Sequence, residues 1–101
     1  MNPINLSETA SELPTPWASR LLGRVGTAGV KVLRMDERPV EVEVHDATEV
    51  LFVVDGRLEL AVGESEFTVG PGELYRVPAG TPHAVRPGSR GTLLIVEVVE
   101  G

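Results

Sequence analysis

After Gly23, glycines and prolines interrupt the chain at mostly short intervals. Glycine opens turn conformations that other residues resist, and proline removes an amide donor and stops helices. Such spacing leaves room for short strands and tight turns and little room for long helices. The segments between the breaks agree. Val30–Met35 is rich in β formers, and Val40-Glu41-Val42-Glu43-Val44 alternates with a strict period of two. Glu49–Val54 is nearly all apolar, and Leu58, Leu60 and Val62 alternate with Glu59 and Ala61. Asp55-Gly56 between these two runs predicts a two-residue hairpin turn. Gly63-Glu64-Ser65 turns the chain into Glu66–Val69, Gly70-Pro71-Gly72 leads to Glu73–Val77, and Thr92–Val99 is a closing strand. Short strands in this number joined by tight turns predict an all-β sandwich or barrel.

The first stretch reads differently. Asn5 is a helix cap with Glu8 three residues on, and Leu6, Ala10 and Leu13 follow at helical spacing. Pro14 and Pro16 stop the pattern, so a short helix is predicted over 6–13. Trp17 reads as an anchor pinning this arm to the body, in preference to a ligand-stacking residue. The expected organisation is an arm over residues 1–19 and a β domain over 20–101.

Composition removes several function classes. The 101 residues contain no Cys, so disulfides, thiolate metal sites and a cysteine nucleophile are excluded. A net charge of -6 argues against a nucleic-acid-binding domain. No apolar run approaches the roughly 20 residues of a membrane-spanning helix, and no signal peptide is visible, so a cytoplasmic location is expected. Gly23-x2-Gly26-x2-Gly29 lacks the lysine and helix of a phosphate loop, and no serine sits in a nucleophile elbow.

Two motifs carry chemistry. His45-x3-Glu49-x6-Gly56 and Gly72-x5-Pro78-x-Gly80-x2-His83 resemble the two cupin motifs. The chain departs from the pattern at Glu43, where the first motif has another His, and at Pro87, where the second ends in Asn. The resemblance implies a double-stranded β-helix, or jelly roll, with a pocket in the barrel mouth. It further implies metal ligands at His45, Glu49 and His83, with Glu43 as a fourth. Imidazole and carboxylate form a borderline-to-hard set suited to one divalent ion such as Fe, Mn, Ni or Zn, and no organic cofactor is expected. The same resemblance implies a homodimer, for which Val30–Met35 and the N-terminal arm are the interface candidates.

The face of strand 40–45 has two readings. With three residues between the ligand His and Glu49, His45 is the ligand and Glu41 and Glu43 share its inward face. With four, Val42 and Val44 line the barrel and His45 lies outside the site. A one-residue slip exchanges the faces. Burying valines is favourable and burying unpaired carboxylates is not, so the second is expected: Val42 and Val44 inward, His45 away from His83. Glu49 and His83 face the mouth in both. One of Tyr75 and Arg76 is expected to face the pocket. The function expected first is a small-molecule-binding barrel with a partial metal site. The alternatives are a metal-dependent enzyme of dioxygenase, isomerase or decarboxylase type acting on a small oxygenated substrate, and a purely structural partner domain.

Overall fold

Asn5 starts the only helix among the described residues, and its side chain accepts from the Glu8 amide at 3.0 Å. In the computed structural model, which describes residues 2–99, this helix is α1, Leu6–Ser11. It ends two residues before the sequence pattern suggested. Glu12 is its C-cap, and Leu13 closes with a tighter bond to the Ala10 carbonyl. The cause is Pro14, which pushes the residue before it away from helical geometry. Ala10 and Leu13 are buried, and the Arg34 guanidinium donates to the Leu13 carbonyl at 3.0 Å, so the arm lies against the sheet.

Eight strands follow: β1 Arg20–Val25, β2 Ala28–Met35, β3 Val40–Glu43, β4 Glu49–Val62, β5 Ser65–Val69, β6 Leu74–Val77, β7 His83–Val85 and β8 Arg90–Val98. All pairings are antiparallel. The principal order is β1-β2-β8-β4-β7-β3, with β5 and β6 also paired to β4. The architecture is thus all-β with a short N-terminal helix. Residues 100 and 101, the expected end of the barrel, lie outside the described residues. Among the described residues no helix is long and apolar enough to cross a membrane.

β4 organises the barrel. Its first half pairs with β6 and β8, and its second half with β5 and β7. The expected hairpin at Asp55-Gly56 is not formed. Val53, Asp55, Gly56 and Arg57 face Leu93, Thr92, Gly91 and Arg90 of one partner, β8, so the strand continues through the glycine. The register shifts by one residue between Val53 and Asp55. This bulge bends the strand from one sheet into the other and exchanges its faces. Leu51 and Val53 are buried before it, Leu58 and Leu60 after it. Glycine is required here. Gly56 has φ +78°, and a Cβ on it would run into the Arg90 carbonyl, while Gly91 opposite has φ +96° and approaches Asp55 as closely.

The core joins Leu33, Met35, Leu51, Val53, Leu58, Leu60, Val69, Val77 and Leu93. Each fully buried side chain contributes roughly 1.5–3 kcal/mol relative to exposure. β2 is covered on both edges; its Leu33 and Met35 are buried in this core, and Val32 is buried on its other face. Val30–Met35 is therefore a core strand and not a free dimer edge; the edge is β1.

Candidate metal centre

The strand whose face was ambiguous settles into neither simple register. Val40 pairs with Val85 and Glu43 with His83, so three steps along β3 match two along β7. The extra residue is a second bulge, and it exchanges the faces of β3 midway. Val40 lines the barrel cavity, and so do Glu43 and His45, although Val40 and Glu43 have opposite parity. Val42 and Val44 are 66% and 58% exposed. The expectation of inward valines and a remote His45 is therefore overturned. The burial argument assumed unbroken alternation, and the bulge lets Val40 be covered while the two polar residues after it still turn inward.

The result is a converging set of donors. Glu43, His45 and His83 each place a ligand atom within 4.8 Å of the other two. The His45 and His83 ring centres are 5.3 Å apart. His83 Nε2 lies 2.8 Å from Glu49 Oε1, both side chains being buried. His45 Nε2 lies 3.3 Å from Glu43 Oε2 and 3.9 Å from Glu49 Oε1. Metal–ligand bonds of about 2.0–2.2 Å place neighbouring ligand atoms roughly 2.9–3.5 Å apart. The 2.8 and 3.3 Å spacings lie close to that range and the 3.9 Å one beyond it; Glu43, His45 and His83 form a group able to hold one metal ion, with Glu49 beside both imidazoles.

The surrounding contacts aim these donors. His83 Nδ1 is 3.0 Å from the Thr81 carbonyl, which can only accept, so the ring carries its proton on Nδ1. That leaves Nε2 directed at Glu49, the arrangement that orients a ligating histidine. Pro82 and Gly80 set the turn that brings His83 here, and the Gly80 amide donates to the His45 carbonyl at 2.7 Å. Burial pushes the Glu49 carboxyl above its ordinary range, and a hydrogen bond shared with Glu97 adds to the rise, against the opposing pull of His45 and His83. For Glu97 burial works upward too. Hydrogen bonds from Lys31 and Glu49 and the Lys31 charge outweigh it and hold the group below its usual range. Lys31 Nζ is 2.8 Å from Glu97 Oε1.

Sequence reasoning missed Glu97. The signal was an acid alone in the apolar run Leu93–Val99, matched by Lys31 alone in Val30–Leu33. Tyr75 and Arg76 fall elsewhere: Tyr75 packs on the core beside Phe67, at 5.1 Å between ring centres, and Arg76 is exposed. Neither lines the cavity.

The donors stand at one end of a cavity of about 340 Å³ whose other walls are mostly aliphatic, among them Leu33, Leu51, Leu58, Leu60, Leu93 and Ile95. Trp17 joins them. It has φ +67°, and a bulky residue in the left-handed region costs of order 1–3 kcal/mol. Two bonds hold it there: its amide donates to the Arg34 carbonyl at 2.8 Å, and its indole Nε1 to Asp36 Oδ1 at 2.9 Å. That indole hydrogen bond, with help from the nearby Arg38 amide and the Arg38 and Arg34 charges, holds the Asp36 carboxyl below its ordinary value against the opposing effect of desolvation.

Known proteins resemble this chain in fold or in sequence to differing extents. A cupin-2 domain containing protein from Shewanella frigidimarina NCIMB 400 superimposes with a TM-score of 0.86 over 95% of this chain and 94% of its own, at 24% identity. The DMSP lyase DddQ from Ruegeria pomeroyi DSS-3 gives a TM-score of 0.70 at 25% identity, over 82% of this chain and 47% of that one. Quercetin 2,3-dioxygenase of Bacillus subtilis (strain 168) is 37% identical over 59 residues, 57% of this chain but only 18% of that enzyme. The cupin domain model matches residues 31–99, from β2 to just past the end of β8 and including both histidines. In fold and in sequence, this chain belongs to the cupin family.

Proposed function

We propose that this cupin holds one divalent metal ion on His45, His83, Glu49 and Glu43 and binds a small oxygen-bearing molecule against it in the barrel cavity. One observation carries the reading: two imidazoles and two carboxylates converge at the open end of an otherwise apolar cavity. Without a cation or a shared proton, carboxylates gathered there repel one another and are poorly solvated. When bound, such an ion polarises a ligand oxygen and stabilises negative charge developing on it.

Convergence of His45 with His83 favours the metal-dependent enzyme over the passive binding barrel. The likeness to a quercetin dioxygenase and to a DMSP lyase supports an enzymatic role in the same direction. On this reading the aliphatic walls exclude water, and Glu97, held by Lys31, is a further carboxylate lining the cavity. The test is metal analysis of protein purified without an affinity tag. One divalent ion per chain, lost in His83→Ala and Glu49→Ala, supports the reading. No ion on purification and no uptake of Fe(II), Mn(II), Ni(II) or Zn(II) at micromolar concentration refutes it.

A homodimer is part of the proposal. Val25, Ala28 and Val98 form one row across β1, β2 and β8, and Val25 and Val98 are exposed at this end of the strands. Sedimentation showing only monomer at micromolar concentration would count against it.

A further inference from the structure

Among the described residues Trp17 is the one benzenoid ring on the cavity wall, and no lysine or arginine lines that wall. Its indole nitrogen, the only polar atom of the side chain, is committed to Asp36. Toward the cavity the side chain therefore has only ring carbon to offer. Trp17 anchors the arm together with the buried Ala10 and Leu13 and the Arg34–Leu13 hydrogen bond, and it packs against the core. Beyond that it lines the cavity, half-buried in a rare backbone conformation and fixed at both its amide and its indole. Strain retained at a cavity wall and fixed from two sides is the mark of a positioned group.

The other walls restrict what can lie on it. With no cationic side chain there, a phosphate or dicarboxylate would have only the metal centre to offset its charge, next to Glu43, Glu49 and Glu97. An engineered apolar cavity of about 150 Å³ takes up benzene, so about 340 Å³ has room for one or two rings.

We infer that Trp17 is the stacking wall of the site, and that its ligand is a planar molecule of one or two rings, uncharged or singly anionic, with oxygen donors at one end. The oxygen donors rest on the metal centre proposed above; the stacking does not.

Benzohydroxamate and acetohydroxamate separate the two, because they present the same pair of chelating oxygens and only the first has a ring. Calorimetry on Zn-loaded protein is expected to show benzohydroxamate binding roughly tenfold tighter, the order expected for one ring stacked on an indole. Trp17→Leu is expected to abolish that preference while leaving Zn stoichiometry and acetohydroxamate affinity in place, and Trp17→Phe to keep part of it. In EDTA-treated wild-type protein, millimolar benzohydroxamate is expected to shift the Trp17 ring-proton resonances and acetohydroxamate to leave them still. Equal affinities for the two probes, or a preference that survives in Trp17→Leu, overturns the inference. Should Trp17→Leu fail to fold, Trp17→Phe and the wild-type resonances decide. Ring shifts without Zn-dependent binding leave the stacking standing and refute the metal centre. Zn-dependent binding of both probes without ring shifts does the reverse, and no shift and no binding refutes both.

Discussion

The register of the strand that carries His45 decides what the site is, and two substitutions read it directly. Consider His45→Ala and Val44→Asp, neighbours on opposite faces. On the proposed reading His45 supplies one of four metal ligands; it is one of three grouped donors and lies 3.9 Å from Glu49. Four-ligand zinc sites bind with roughly 10–16 kcal/mol, so one ligand is worth about 2.5–4 kcal/mol, or about 10²–10³ in Kd. Without metal the same substitution removes one contact at 3.3 Å from a side chain 41% exposed, and stability is expected to change by less than about 0.5 kcal/mol. Val44 is 58% exposed, so an aspartate there stays hydrated and costs no more than about 1 kcal/mol. The assay is calorimetric unfolding with EDTA and again with Zn²⁺ at 100 times the wild-type Kd. Wild type and Val44→Asp are expected to gain about 2.7 kcal/mol, raising Tm by roughly 10–20 °C in a domain of this size. His45→Ala, with its Kd raised about 100-fold, is expected to gain only about 0.4 kcal/mol. A Val44→Asp protein destabilised by several kcal/mol, together with a His45→Ala protein showing the full Zn²⁺ shift, would put the valines inside and His45 outside and refute the geometry.

Other substitutions probe the frame that holds the site. Gly56→Ala combines a left-handed backbone with a Cβ directed into the Arg90 carbonyl and is expected to cost about 3 kcal/mol or more; a urea midpoint close to wild type would show that β4 can relax there. Leu58→Ala removes a fully buried side chain that also lines the cavity and is expected to cost about 2–5 kcal/mol; a loss below about 1 kcal/mol would mean the core closes over the gap. Asp36 has its folded pKa depressed below 3.8, first by the Trp17 indole. Its contribution to stability is thus present above pH 3.8 and is lost as pH falls through the lower folded-state value. The fluorescence of the single tryptophan is expected to change in that acid window, and an unaltered acid transition in Asp36→Asn would disprove the link.

What could and could not be read in advance follows from where periodicity holds. The strands came through because valines and leucines alternate over stretches longer than any irregularity, and the second motif placed His83 because Pro78, Gly80 and Pro82 dictate one turn. The two errors of register share a cause. At Asp55-Gly56 and between Val40 and Glu43 a single extra residue is accommodated by the partner strand, through the β8 pairing in one case and the β7 pairing in the other. A bulge is a property of two strands, and the local pattern of one cannot report it. Asp55-Gly56 carries the residues of a tight turn, and only the facing Gly91 makes room for the chain to run straight on. Likewise Val40-Glu41-Val42-Glu43-Val44 alternates without fault as a sequence, yet its faces exchange midway because His83 and Val85 are two residues apart and their partners three. That mismatch lets an aliphatic residue cover the cavity and, three positions later, a carboxylate face a histidine. The chemistry of the mouth thus depends on the one place in this strand where the alternation fails.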